Sequence, residues 1–107
     1  MVFVELPIFT RCAADIFSDE DMEALQWTFL KNPEAGDRIS GGRGLRKLRA
    51  ALSGQGKRGG ARVIYYYWTA QSRCYLVYAY TKNRTADLSK DQLRRLADWV
   101  NAEIHDG

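Results

Sequence analysis

The chain has 107 residues, 46% hydrophobic and 27% charged, which fits one domain over residues 1–107 with a core of its own. That composition excludes the disordered, collagen-like and low-complexity classes. No apolar run reaches the ~18 residues of a membrane span, and the start, Met1-Val2-Phe3-Val4-Glu5, lacks the basic and apolar regions of a signal peptide, so a cytoplasmic chain with no membrane partner is expected.

Val2-Phe3-Val4 is a short β-rich run ended by Pro7 and reads as a first strand. Residues 8–17 are ambiguous and have room for a helical turn or two. Ser18 then caps a helix whose first turn holds Asp19, Glu20 and Asp21, where the helix dipole favours negative charge. Phe17 and Met22 stand at the positions of a hydrophobic staple. Met22, Leu25, Phe29 and Leu30 follow helical spacing, and Asn32-Pro33 ends the helix.

Residues 34–44 form a glycine-rich loop. Leu45 to Leu52 fits strand or helix; glycines on both sides favour a short strand. Ser53 to Gly60 holds four glycines in eight residues and reads as a loop, with Lys57 and Arg58 at its far end. Ala61–Thr69 and Cys74–Thr81 have the β-branched and aromatic enrichment of strands and form a hairpin across a short polar turn. The aromatic run Tyr65 to Trp68 reads mainly as core. Ser89 to Gln92 is a capping box, followed by an apolar stripe of Leu93, Leu96, Ala97, Val100 and Ile104. The expected fold is therefore α+β, a small antiparallel sheet with N-terminal and C-terminal helices packed on it. Cys12 and Cys74 are expected as buried free thiols, and one histidine with two cysteines argues against a structural zinc site.

The net charge of +3 conceals a segregation. Residues 38–84 hold eleven basic residues and no acid, whereas the remaining sixty hold five basic and thirteen acidic residues, giving +11 against −8. Like charges packed into one fold repel, so a polyanion such as a nucleic-acid backbone is the expected partner. A hairpin loop centred near residues 71–72 gives opposed residues a sum of 143 or 144. Arg62 would then face Thr81 or Lys82, at a strand end where its side chain reaches solvent. Lys57, Arg58 and Arg84 would converge on the same sheet edge, a set of Arg forks and Lys point charges suited to phosphate.

The stretch Gly59 to Tyr67, the hairpin ending in Tyr80-Thr81-Lys82-Asn83, and Asp87-Leu88-Ser89 opening a helix together resemble the RelE/ParE toxin superfamily. The similarity is greatest to its HigB-type members, whose pattern Gly44 to Arg49 and the Gly56 to Gly60 loop also resemble. It runs from about Val2 to Leu96. The resemblance implies the RelE-like microbial RNase fold and a toxin of a type II toxin–antitoxin system. Such a toxin is an mRNA interferase that enters the 30S A site, contacts mRNA and 16S rRNA, and cuts the mRNA being translated. It also implies a cognate antitoxin protein of the HigA or RelB kind, expected to be acidic where it touches the toxin.

Residue roles follow from the same resemblance. Arg62 matches the arginine opening the central strand, a phosphate and transition-state contact, and Lys82 the basic position after the last strand. Lys57 and Arg58 fall in the loop over the site, and these four form the expected catalytic set. Lys47 and Arg49 match the basic strand lining the concave face; with Arg43, Arg46 and Arg84 they are the expected RNA contacts. One departure stands out: the tyrosine that RelE carries after its last strand has no counterpart between Asn83 and Ser89. The chemistry, internal attack by a 2′-hydroxyl, calls for charge stabilisation by Arg and Lys and a proton donor, a role open to lysine among other cations. No metal and no cofactor is expected. His105, in the tail of the last helix, reads as a dipole partner. Rival readings are a ParE-like DNA gyrase poison and a non-catalytic RNA- or ribosome-binding module.

Overall fold

The computed structural model describes residues 1–53, 60–81 and 88–106. Strand β1 (Val2–Glu5) leads into helices α1 (Pro7–Ile16) and α2 (Asp19–Lys31). Next come the two-residue strand β2 (Asp37–Arg38) and the strands β3 (Arg46–Ala50) and β4 (Ala61–Trp68). A 3₁₀ turn (Thr69–Gln71), strand β5 (Arg73–Thr81) and helix α3 (Lys90–Asp106) complete the order. The five strands lie in the order β1-β5-β4-β3-β2. β3, β4 and β5 form the expected antiparallel meander. β1 joins it in parallel, from Val2 opposite Arg73 to Glu5 opposite Leu76.

The segment before Ser18 is a full ten-residue helix rather than a turn or two. Pro7 sits in its first turn, where the missing N–H costs nothing and the fixed φ is already helical. Phe9 and Ala13 are buried one turn apart. In α2 the Ser18 hydroxyl accepts from the Asp21 N–H at 3.1 Å, and the Asp21 carboxylate accepts from the Ser18 N–H at 3.1 Å. This closes a reciprocal cap. Leu25 and Phe29 face the core, but Leu30, expected in the same stripe, is 47% exposed. One residue past Phe29 is about 100° further round the helix, off the buried side. The second capping box forms as expected, with the Ser89 hydroxyl accepting from the Gln92 N–H at 3.1 Å and the Ser89 N–H donating to the Gln92 amide oxygen at 2.8 Å.

Alternation along the strands divides the core between two faces. Leu48, Val63, Tyr65, Cys74 and Leu76 pack with Phe9, Leu25 and Phe29 under α1 and α2. Leu45, Ile64, Tyr75 and Val77 pack with Leu93, Leu96 and Val100 of α3. Cys12 and Cys74 are free thiols, Cys12 only half-buried. Burial pushes the Cys74 thiol up to about 12, which keeps it protonated and unreactive.

The hairpin register differs from the sequence expectation. Trp68 pairs with Arg73 across the turn, and a bulge between Ile64 and Tyr65 shifts the ladder by one residue. Arg62 therefore faces Tyr80, and Ala61 faces Thr81. The difference comes from the turn, which is centred between Ala70 and Gln71 rather than near residues 71–72; the bulge moves the register back toward the expected one by a single residue.

Candidate nucleic-acid interface

β3 carries Arg46, Lys47 and Arg49, and alternation sends them to opposite faces. Leu48 belongs to the face under α1 and α2, and Leu45 to the face under α3. Lys47 and Arg49 therefore share the α3 face, and Arg46 lies on the other. On β4 the same alternation places Arg62 with Ile64 on the α3 face. Arg49 is directly opposite Arg62, and Lys47 is opposite Ile64. A transverse row thus runs Arg49, Arg62, Tyr80 across three strands, with a second row of Lys47, Ile64 and Tyr78 beside it.

Exposure is graded along the first row. Arg49 is exposed, Arg62 is buried at 9% and Tyr80 at 5%. The burial of Arg62 corrects the expectation of a side chain reaching solvent: this strand end is packed on both faces. Its guanidinium donates back to the Ala61 carbonyl at 3.3 Å, which holds it over its own strand. Two arginines directly opposed across a strand pair repel each other, and an anion between them would convert that repulsion into attraction. The Tyr78 and Tyr80 rings lie 6.1 Å apart. Burial holds the Tyr78 phenol above its ordinary value, so it stays neutral.

Both ends of the connection from β3 to β4 are fixed beside this row. The Asp21 carboxylate accepts from the Ser53 N–H at 3.1 Å while it closes the α2 cap. Its hydrogen bond from the Ser18 N–H, and those from Ser53, hold its pKa below the ordinary carboxylate value. At the other end Gly60 has φ +62°, and a Cβ there would collide with the Ala50 carbonyl oxygen, so only glycine fits. Lys57 and Arg58, in that connection, and Lys82 and Arg84, beyond β5, lie outside the described residues.

Two expected RNA contacts are not brought to the row. The Arg46 guanidinium donates to the Gly36 carbonyl at 2.8 Å and pairs with Glu34 at 3.0 Å, leaving its side chain 15% exposed. Arg43 pairs with Asp98 of α3 at 2.6 Å, and it precedes β3 on the side away from Arg62. Tyr78 and Tyr80 were missing from the sequence reading of the site, although the aromatic run at the end of β5 was its available signal. Among the described residues, no group of three or more His, Cys, Asp or Glu side chains could hold a metal ion, and no helix is long and apolar enough to cross a membrane.

The fold and this face define a small α+β domain with cations gathered on one side of its sheet. The family model described as the RelE toxin of the RelE/RelB toxin–antitoxin system matches residues 10–103. The chain belongs to this RelE toxin family, and that membership implies an antitoxin partner.

Proposed function

We propose that this chain is a ribosome-dependent endoribonuclease, an mRNA interferase that cuts mRNA in the A site and so arrests translation. The observation that carries the reading is the gathering of Lys47, Arg49 and Arg62 on one sheet face, at adjacent register positions. Membership of the RelE toxin family supports the same reading.

In this reading the RNA backbone lies along the row. Arg49 and Lys47 hold flanking phosphates, whose contacts position without specifying sequence. Arg62, held in place by the sheet, stabilises the charge that builds on the non-bridging phosphate oxygens when the adjacent 2′-hydroxyl attacks and passes its proton to a base, a role open to a neutral lysine amine or to water. The bond to the 5′-oxygen breaks, leaving a 2′,3′-cyclic phosphate on one fragment and a 5′-hydroxyl on the other. The leaving oxygen takes its proton from a lysine ammonium, Lys57 and Lys82 being the candidates. Tyr78 offers a ring on which an unstacked base can rest.

Purified ribosomes programmed with a defined mRNA test the proposal. Cutting within the A-site codon, with naked RNA left intact, is the expected result. Gyrase-linked DNA breaks, or ribosome binding without cutting, would overturn it.

A further inference from the structure

The row of Arg49, Arg62 and Tyr80 runs out at an incomplete sheet edge. β1 pairs with β5 only from Arg73 to Leu76, so among the described residues no strand lies outside β5 beyond that point. A recess of about 510 Å³ takes its place, between the last turns of α1 and the end of β5. Tyr80 belongs to both features, closing the row and lining the recess. Neighbouring strands lie ~4.8 Å apart, so a group in the recess is ~10 Å from the β4 backbone that carries Arg62. A phosphate held at Arg62 leaves the base of the adjoining nucleotide within reach of it.

The walls suit a base and not a phosphate. Cys12, Asp15 and Ile16 stand three and four residues apart along α1 and so share one side of it. Ile16 and the half-buried Cys12 pack on the core, and with Tyr78 they offer apolar surface to a planar ring. Asp15 is the one charged side chain among the described residues of the lining. It is exposed, and no described residue forms an ion pair with it. It also stands in the last turn of α1, which holds no basic residue, and therefore lies against the negative end of the helix dipole. A carboxylate in that place repels phosphate and calls for a hydrogen-bond donor.

We infer, taking the cleavage reading above, that this recess reads one base of the codon and that Asp15 selects guanine there. The Watson–Crick edge of guanine presents its N1–H and an N2–H side by side, and the two carboxylate oxygens accept both together. Adenine and cytosine present one amino group beside an acceptor nitrogen, which opposes the second carboxylate oxygen. Uracil presents one N–H between two carbonyls and fits worst. Base choice then comes from α1, apart from the cations that hold the backbone.

The test is cleavage on programmed ribosomes with each base in turn at each position of the A-site codon. At one position guanine should be cut about tenfold faster than uracil, a usual worth for one bidentate base contact. In Asp15→Asn the carboxamide offers one acceptor and one donor, which match the N3–H and a carbonyl of uracil. This variant should lose the preference and cut the uracil codon faster than the parent does, with melting unchanged because the position is exposed. Glu23→Gln removes the same charge from an exposed position on α2 and should keep the parental preference. Equal rates for all bases in the parent, an unaltered preference in Asp15→Asn, or the same change in Glu23→Gln would overturn the assignment. Fluorescence anisotropy of a labelled 2′-O-methyl hexanucleotide, which has no 2′-hydroxyl to attack, measures base choice on the free chain without cleavage. The guanine form should bind about tenfold tighter than the uracil form, and equal affinity would overturn the assignment even where codons are cut. A guanine preference in binding with no codon cut would sink the cleavage reading alone.

Discussion

Arg46 and Arg49 stand three residues apart on one strand, and the sheet uses them differently. Arg46 faces the α1–α2 side, where Glu34 and the Gly36 carbonyl occupy its guanidinium. There it ties the loop after α2 to the sheet. Arg49 faces the α3 side, is exposed, and meets Arg62 across the strand pair. Residue type is the same; strand parity and neighbouring charge set the role. A basic segment is therefore not a basic site until alternation has sorted its members.

The largest effect should come from Arg62. Arg62→Ala should lower A-site cleavage on the order of 10²–10³-fold, the usual loss for one preorganised charge-stabilising donor. Because Arg62 is buried, melting should fall as well, by about 1–3 kcal/mol for a buried polar network losing a member. Arg62→Lys separates the two effects, since it keeps the charge and loses the planar fork. Cleavage by this variant should recover only partly, measured by primer extension on programmed ribosomes.

The opposite face should answer in stability alone. The Tyr65 hydroxyl donates to the Pro33 carbonyl at 2.8 Å and accepts from the Gly36 N–H at 2.9 Å, under a Phe29 ring 4.4 Å away. Tyr65→Phe leaves that buried N–H without an acceptor, at a cost of about 1–3 kcal/mol. Thermal melting should register it, while cleavage per folded molecule stays unchanged.

The smallest effect concerns the cap beside the site. Ser18→Ala should cost about 1 kcal/mol. Asp21 has its pKa lowered in the folded state, so the unfolded chain binds its proton first. Its contribution is fully present above the unfolded value of about 3.9 and is lost as pH falls through the folded value. The stability gap between the parent and Asp21→Asn, followed by urea unfolding, should therefore narrow below about pH 4.

Much of this architecture was legible in the chain. Both capping boxes, the long hairpin and the β3 strand carry local signals that tertiary packing did not override. α1 was less clear, although Pro7 with Phe9, Ala13 and Phe17 at helical spacing marks it in retrospect. The parallel pairing of β1 with β5 had no local signal, because it joins segments from the two ends of the chain. For the site, Lys47, Arg49 and Arg62 were named from sequence and lie together. Arg43 and Arg46 were grouped with them by charge alone, and charge does not report which face of a strand a residue occupies. The Arg62–Lys82 pairing gave way to Arg62–Tyr80 because the turn is centred about one residue earlier than the polar break suggests, a shift that the bulge reverses only in part.

The most direct measurement compares Arg49→Ala with Arg46→Ala on programmed ribosomes. Each removes one positive charge from the same strand. With the cationic face as the RNA site, Arg49→Ala should lower A-site cleavage by about tenfold, the effect of losing ~1.4 kcal/mol of transition-state binding. Arg46→Ala should cut at the parental rate per folded molecule and show its effect in melting. Equal losses of cleavage in the two variants, or parental cleavage by Arg49→Ala, would contradict the assignment of this face.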